Sequence, residues 1–292
     1  MTAPLPERLN TDHGHRFDAS RRWDASLELG FIHSGGATRL KRCHHHGPLR
    51  VQRPFYPEGE VCHVYLLHPP GGLVSGDRLA ISAHVAEGAQ ALLTTPAAAK
   101  LYRADSHGVA WQQHTRLDVE DGGLLEWLPQ ETIAFDGSKG RQSVEIALSG
   151  NARCLGWEAM ALGRPASRLP FESGRIEQHF RLVRDGRPLW IERQPLDPHH
   201  PRFHGRWGQG GHAVQATLWA VGLPDMKLAV ETLREHIAPS TRWAVTVRLD
   251  VLLLRYLGDE LNEARALCHE AWALLRPLLA GREACPPRIW FT

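Results

Sequence analysis

Histidine and cysteine cluster at two nearby points of the chain. Cys43-His44-His45-His46 is followed by Cys62-His63, and imidazole and thiolate together suit nickel, copper or zinc. Successive strand side chains point to opposite faces, so His44 and His46 could share a surface metal while His45 could not. The same run also reads as the polar end of a strand before Gly47-Pro48. A second constellation lies in Trp127-Leu-Pro-Gln-Glu-Thr-Ile-Ala-Phe-Asp-Gly-Ser138. Its Glu131 and Asp136 stand in apolar surroundings where a buried carboxylate needs a partner or a cation. They could serve as paired acid and base, although nothing in the spacing fixes their separation. Lys100, Tyr102 and Arg103 flank Leu101 and could present a basic strip to a partner, or form a solvated strand face. His199-His200-Pro201, with His204 and Trp207, falls in a glycine-rich loop that could bind metal or form a mobile surface loop, the second being the favoured reading.

The stretch His68-Pro-Pro-Gly-Gly-Leu-Val-Ser-Gly-Asp77 combines rigid prolines, permissive glycines and one acid. A phosphate loop would end in Gly-Lys-Ser/Thr and open a helix, whereas this one ends in Asp77 and opens a strand. It is expected to be a shaped structural or partner-facing turn. Ser75 has no nucleophile-elbow context, so a catalytic triad is not indicated.

The elements that must hold these groups are mostly strands. Trp23, Ala25, Leu27, Leu29 and Phe31 alternate, as do Leu79, Ile81, Ala83 and Val85. Further strand-like runs cover 38–42, 49–54, 61–67, 89–95, 109–120, 124–128, 143–148, 152–161, 176–184, 189–194, 213–221, 242–248 and 251–257. Glu87-Gly88, Glu120-Asp-Gly-Gly123, Ser149-Gly-Asn151 and Asp185-Gly186 separate them, the last suiting a two-residue hairpin. This spacing predicts a mainly β fold, a large antiparallel structure of many short strands. Helices are expected only in the last quarter, at 226–237 and 260–279, with Pro277 bending or ending the second. No repeat and no linker is apparent. The reading is a flexible segment over residues 1–20 and one β-rich domain over 21–292.

With 34 basic and 32 acidic side chains the net charge is +2, which gives no field for nucleic acid or an anionic membrane. No apolar run reaches the ~20 residues of a membrane helix, and the N-terminus has no signal core. A cytoplasmic protein is expected. Five cysteines without a C-x-x-C pair argue against a disulfide framework or a closed zinc site.

Several stretches taken together resemble the urease accessory protein UreD family, called UreH in some bacteria. They are 47–59, the Pro70–Asp77 loop, Thr94–Arg103, 125–133, Leu162-Gly-Arg164, Arg255-Tyr-Leu-Gly-Asp259 and Pro287-Arg-Ile-Trp-Phe-Thr292. The resemblance runs in order from about residue 23 to the C-terminus. It implies a β-rich, non-catalytic scaffold that binds UreF, through it the GTPase UreG, and apo-urease. A dimer of heterodimers with UreF is the implied assembly. No cofactor is bound permanently, and nickel passes through transiently. Asp77, Glu131, Asp136 and Glu158 are the expected carboxylates of such a path, the first two lying within the matching motifs. From another class, a metal-dependent hydrolase using Glu131, Asp136 and the histidines is the alternative.

Overall fold

A computed structural model describes residues 21–291. The expected flexible segment, residues 1–20, lies outside the described residues. The chain opens with β1 (Trp23–Ser34) and β2 (Ala37–His46), an antiparallel hairpin, then β3 (Arg50–Val51) and β4 (Cys62–Leu67). A coil then begins that passes repeatedly between two sheets. Its successive strands are β5 (Gly72–Leu73), β6 (Asp77–Val85), β7 (Gln90–Thr94), β8 (Ala99–Leu101) and β9 (Trp111–Val119). It continues through β10 (Leu124–Leu128), β11 (Thr132–Ala134), β12 (Lys139–Leu148), β13 (Arg153–Leu162) and β14 (Arg175–Arg184). The remainder comprises β15 (Arg187–Leu196), the one-turn α1 (Pro201–His204), β16 (Val214–Val221) and α2 (Met226–His236). It ends with β17 (Trp243–Arg248), β18 (Val251–Gly258) and α3 (Leu261–Ala280).

The mainly β fold with its large sheets is as expected, but the direction of pairing is corrected. The seven-stranded sheet, in the order β15-β14-β12-β9-β6-β1-β2, is parallel from β14 to β1. The second sheet runs β17-β18-β16-β13-β10-β7-β4-β3 and is parallel from β13 to β4. The cause is that consecutive strands do not pair. Each glycine turn after β6, β9 and β12 carries the chain to the opposite sheet, so every third strand stacks on its predecessor in the same direction. Short β5, β8 and β11, unread in the sequence, stack in parallel on the return side of the coil. The coil is thus a structural repeat that the sequence does not display. Only the flanks are antiparallel, including the Asp185-Gly186 hairpin.

Alternation explains the layers. Leu27, Leu79, Leu117, Ile146 and Leu182 of the first sheet and Leu125, Cys154, Met160 and Trp219 of the second fill the intersheet core. Trp23 departs from the expected face and is half exposed at its strand's start. The second sheet is apolar on both faces. Leu155, Trp157, Leu218, Leu252 and Leu254 point outward and are covered by Leu233 of α2 and Leu267, Ala271 and Leu275 of α3. A two-faced buried sheet reads as continuous apolar sequence, which suits its parallel centre.

The helices have clear ends. The side chain of Asp225 accepts the Leu228 N–H at 2.9 Å and caps α2. Gly281, in the left-handed region, closes α3, and Pro277 is accommodated inside its last turn. No helix among the described residues is long and apolar enough to cross a membrane.

Candidate functional site

Between the two sheets the apolar core gives way to glutamines. Gln142 on β12 and Gln178 on β14 occupy inward positions, alternating with Val144 and Phe180, which are buried. Their amides join head to tail. Gln209 Nε2 donates to Gln215 Oε1 at 2.7 Å, Gln215 Nε2 to Gln178 Oε1 at 2.6 Å, and Gln178 Nε2 to Gln142 Oε1 at 3.0 Å. Gln142 Nε2 then faces Glu158 Oε1 at 3.5 Å, a weak contact. A branch runs from Gln215 to Gln194 at 2.8 Å and on to Glu192. Arg255 clamps Glu192 through two hydrogen bonds. Buried amides need partners, and the chain gives each Nε2 an acceptor in the next side chain, while Gln209 Oε1 stays buried without a partner among the described residues.

Three cavities follow this chain. One of about 140 Å³ is bounded by His68, Gly71, Thr95–Ala99, Gln113, Trp127, Gln142 and Glu158. One of about 40 Å³ is bounded by Glu158, Gln178, Glu192, Gln194 and Gln215, and shares Glu158 with the first. A third, of about 200 Å³, shares Gln194 and Gln215 with the second and is rimmed by Arg193, Arg202 and Trp207. The volumes admit water, and the glutamine amides and Glu158 in their walls can bind it.

Glu158 is the carboxylate at the joint. On β13 it lies in register with Thr217 of β16, on the face that carries Cys154 and Met160. Burial pushes its carboxyl up to about 7 from an ordinary 4.5, and no cation among the described residues opposes the shift. Glu192, by contrast, is held below its usual range: burial opposes ionisation, but Arg255 outweighs it. His68 lines the first cavity with Nε2 buried and unpartnered, and burial lowers its pKa.

The other expected carboxylates line none of these cavities. Asp77 is buried and accepts the Val74 N–H at 2.8 Å. Burial raises its pKa against the opposing effects of that hydrogen bond and Arg21. It closes the turn entering β6, where Gly76 sits at φ +85° with the Arg21 carbonyl 2.7 Å from where a Cβ would stand. Glu131 keeps its Oε2 buried and unpartnered beside β11. Asp136 accepts from Ser173 N at 2.7 Å, Ser173 Oγ at 2.9 Å, Glu172 N at 3.0 Å and Arg103. Burial opposes its ionisation, but these donors outweigh that and lower its pKa. Arg103 is therefore engaged within the chain, Tyr102 packs edge-on against Phe135 at 5.1 Å, and Lys100 is exposed. His44 and His46 are exposed on the outer face of β2, in register with Glu28 and Ser26. Among the described residues no three His, Cys, Asp or Glu side chains converge in a metal-binding arrangement.

A model of the family described as "UreD urease accessory protein" matches residues 24–291. The chain is 65% identical over 288 residues to "Urease accessory protein UreD" of Chromohalobacter salexigens, covering 96% of this chain and 92% of the relative. It is 66% identical over 286 residues to the protein of the same name from Marinobacter nauticus, covering 96% of each. For the Pseudoalteromonas translucida relative, also so named, identity is 58% over 295 residues, covering 99% and 98%.

This chain belongs to the UreD urease accessory protein family. A role in urease maturation, in partnership with the maturation machinery, follows from that membership. As an accessory protein of urease, a UreD chain acts as a maturation factor rather than as the urease. The tail motif read from the sequence has a visible task in this UreD chain. Trp290 donates to Thr94 Oγ1 at 2.8 Å and packs against Trp272 and stacked His269. The tail thus ties α3 to β7.

Sequence reasoning missed two groups. The glutamine chain carried a signal, since Gln142, Gln178 and Gln215 interrupt otherwise apolar inward faces. The second is a buried ion cluster that fastens α3. Arg276 Nε donates to Glu126 Oε1 at 2.9 Å, and its Nη1 and Nη2 donate to Glu58 at 2.6 and 2.7 Å. Trp272 Nε1 donates to Glu126 Oε1 at 2.6 Å, and His63 Nε2 lies 2.7 Å from Glu58 Oε1. Burial raises the Glu58 pKa, but His63 and Arg276 outweigh it and lower it to about 2.

Proposed function

We propose that this chain is a non-catalytic scaffold of urease maturation. It binds UreF, through it the GTPase UreG, and apo-urease in the cytoplasm, and nickel crosses it as transient cargo between the two sheets. The observation that carries the reading is Glu158, the carboxylate shared by two cavities and without a cationic partner among the described residues. A relay for a cation must bind weakly enough to release it. One carboxylate, amide oxygens and water meet that need, whereas a closed set of His and Cys ligands would trap the ion. Of the four carboxylates expected on the path, Glu158 is the one that lines the cavities. The hydrolase alternative loses support because Asp136 has its oxygens occupied by Arg103, Ser173 and Glu172.

The test is co-expression of the chain with UreF, UreG and apo-urease, followed by sizing, nickel analysis and a urease assay. Glu158→Ala should leave the complex intact and lower activation about tenfold, the lower end of losses when a metal-orienting group is removed. Unchanged activation would remove Glu158 from the route, and loss of the complex would make its role structural.

A further inference from the structure

The third cavity opens between β15, α1 and the turn that follows, and Trp207 stands at its rim 89% exposed. An exposed indole offers a large, rigid apolar area with a polar N–H that association can bury. The turn that presents it is built by hydrogen bonds: Gly208 N to Gly205 O at 2.9 Å, Gln209 N to Phe203 O at 2.9 Å and Gly210 N to Gly205 O at 3.2 Å. Gly208 is required there, since a Cβ would stand 1.8 Å from the Arg202 carbonyl. Phe203 beneath is buried against Phe171. Trp207 is therefore held outward by a shaped turn anchored in the core.

The charge around it is one-sided. Arg193, Arg202 and Arg206 are exposed, and among the described residues none stands in an ion pair. The Arg206 guanidinium lies 5.1 Å over the Trp207 ring. Asp197, close in sequence, has Oδ1 occupied by the His199 N–H at 2.9 Å. Several arginines elsewhere are matched, as Arg255 with Glu192, Arg141 with Glu177 and Arg116 with Asp118. Tryptophan and arginine are the side chains that most often dominate interface energetics.

We propose that the Trp207 rim, with Arg193, Arg202 and Arg206, is a docking surface for a folded protein partner. That partner offers an apolar socket for the indole, rimmed by carboxylates. A single aromatic flanked by cations suits such a socket, whereas single-stranded nucleic acid calls for a track of several aromatic platforms. Docking has a second consequence, which rests on the cation-passage reading. A free rim of three guanidinium groups repels a divalent ion leaving the Gln194–Gln215 cavity. Partner carboxylates neutralise that rim, so the route is open only in the assembled complex.

The experiment titrates the full chain, without nickel, against purified UreF and against purified apo-urease, at low and high salt. Trp207→Ala should weaken binding to one of them about tenfold or more, the loss of an interface hot spot. The pair Arg202→Glu with Arg206→Glu should weaken the same complex further and flatten its salt dependence. Trp23→Ala, at another exposed tryptophan, should change nothing. Thermal melts check folding, and Arg→Gln at both positions serves if charge reversal unfolds the chain. Unchanged affinity of every variant for both partners overturns the proposal. So does self-association of the parent that Trp207→Ala abolishes, which would make the occupant a second copy. If Trp207→Ala loses binding while Glu158→Ala retains full activation, the docking surface stands and the cation passage falls.

Discussion

Arg276 carries more of the fold than its single charge suggests. It is 1% exposed and holds Glu126 on β10, Glu58 in the loop before β4 and the Glu283 carbonyl, while lying on α3. A buried ion cluster adds little over well-packed apolar side chains, but removing one member leaves the others buried and unpaired. Arg276→Met should therefore cost about 3–5 kcal/mol in denaturant unfolding. The same cluster sets an acid limit. Because the folded pKa of Glu58 is lowered from 4.5 to about 2, its contribution is complete above pH 4.5 and is lost as pH falls towards 2. That contribution is on the order of 3 kcal/mol, and Glu58→Gln should flatten the stability curve across that window. An unchanged slope would mean that the charge of Glu58 is not what the fold uses. The cluster was barely legible in the sequence. Glu126 sits inside Leu124–Leu128, where alternation cannot tell the core face from the helix face, and Arg276 borders a stripe that reads as apolar.

At the level of elements, strand positions were legible and strand partners were not. The turns after β6, β9 and β12 and the hairpins at Gly35-Gly36 and Asp185-Gly186 all contain glycine, so composition does not separate them. Their dihedrals do. Gly35-Gly36 and Asp185-Gly186 both have two consecutive residues at positive φ, the type I′ signature of a hairpin. The crossing turns have one positive-φ glycine apiece, Gly88, Gly122 and Gly150. These turns also stack on each other: Leu124 N donates to Ala89 O at 2.9 Å, Arg153 N to Gly123 O at 2.8 Å, and Asn151 N to Asp121 Oδ1 at 2.6 Å. Gly88→Ala, with open space around its Cβ, should lose only the left-handed penalty of about 1–2 kcal/mol. Gly150→Ala places a Cβ 2.4 Å from Asp121 Oδ1 and should lose about 1 kcal/mol more. Equal losses by chemical denaturation would show that stacking of the turns contributes nothing.

The molecule as a whole keeps an ionisable group where packing alone would place a hydrocarbon. Two sheets that could close on leucine and valine instead hold glutamines, water-sized cavities and Glu158, an arrangement that makes sense as a route and lowers stability as a core. His68, His179 and Glu192, the last paired with Arg255, are the other titratable groups lining the two cavities that share Glu158. The cost of Glu158 has a definite sign. Its folded pKa is raised from 4.5 to about 7, so the folded chain binds the extra proton between those values. Stability must then fall as pH rises from 4.5 to 7, by about 3 kcal/mol in all, and stay reduced above it. Glu158→Gln keeps the shape and the acceptor for Gln142 but removes the ionisation. It should leave stability at pH 4 nearly unchanged and raise it at pH 8 by up to that amount, measured by denaturant unfolding at both values. The same variant should activate urease less well. A protein stabilised at pH 8 yet impaired in maturation would show that Glu158 is retained for its charge. Equal stability of variant and parent at pH 8 would mean that the cavity water already solvates the carboxylate as bulk water does, and that this position carries no cost.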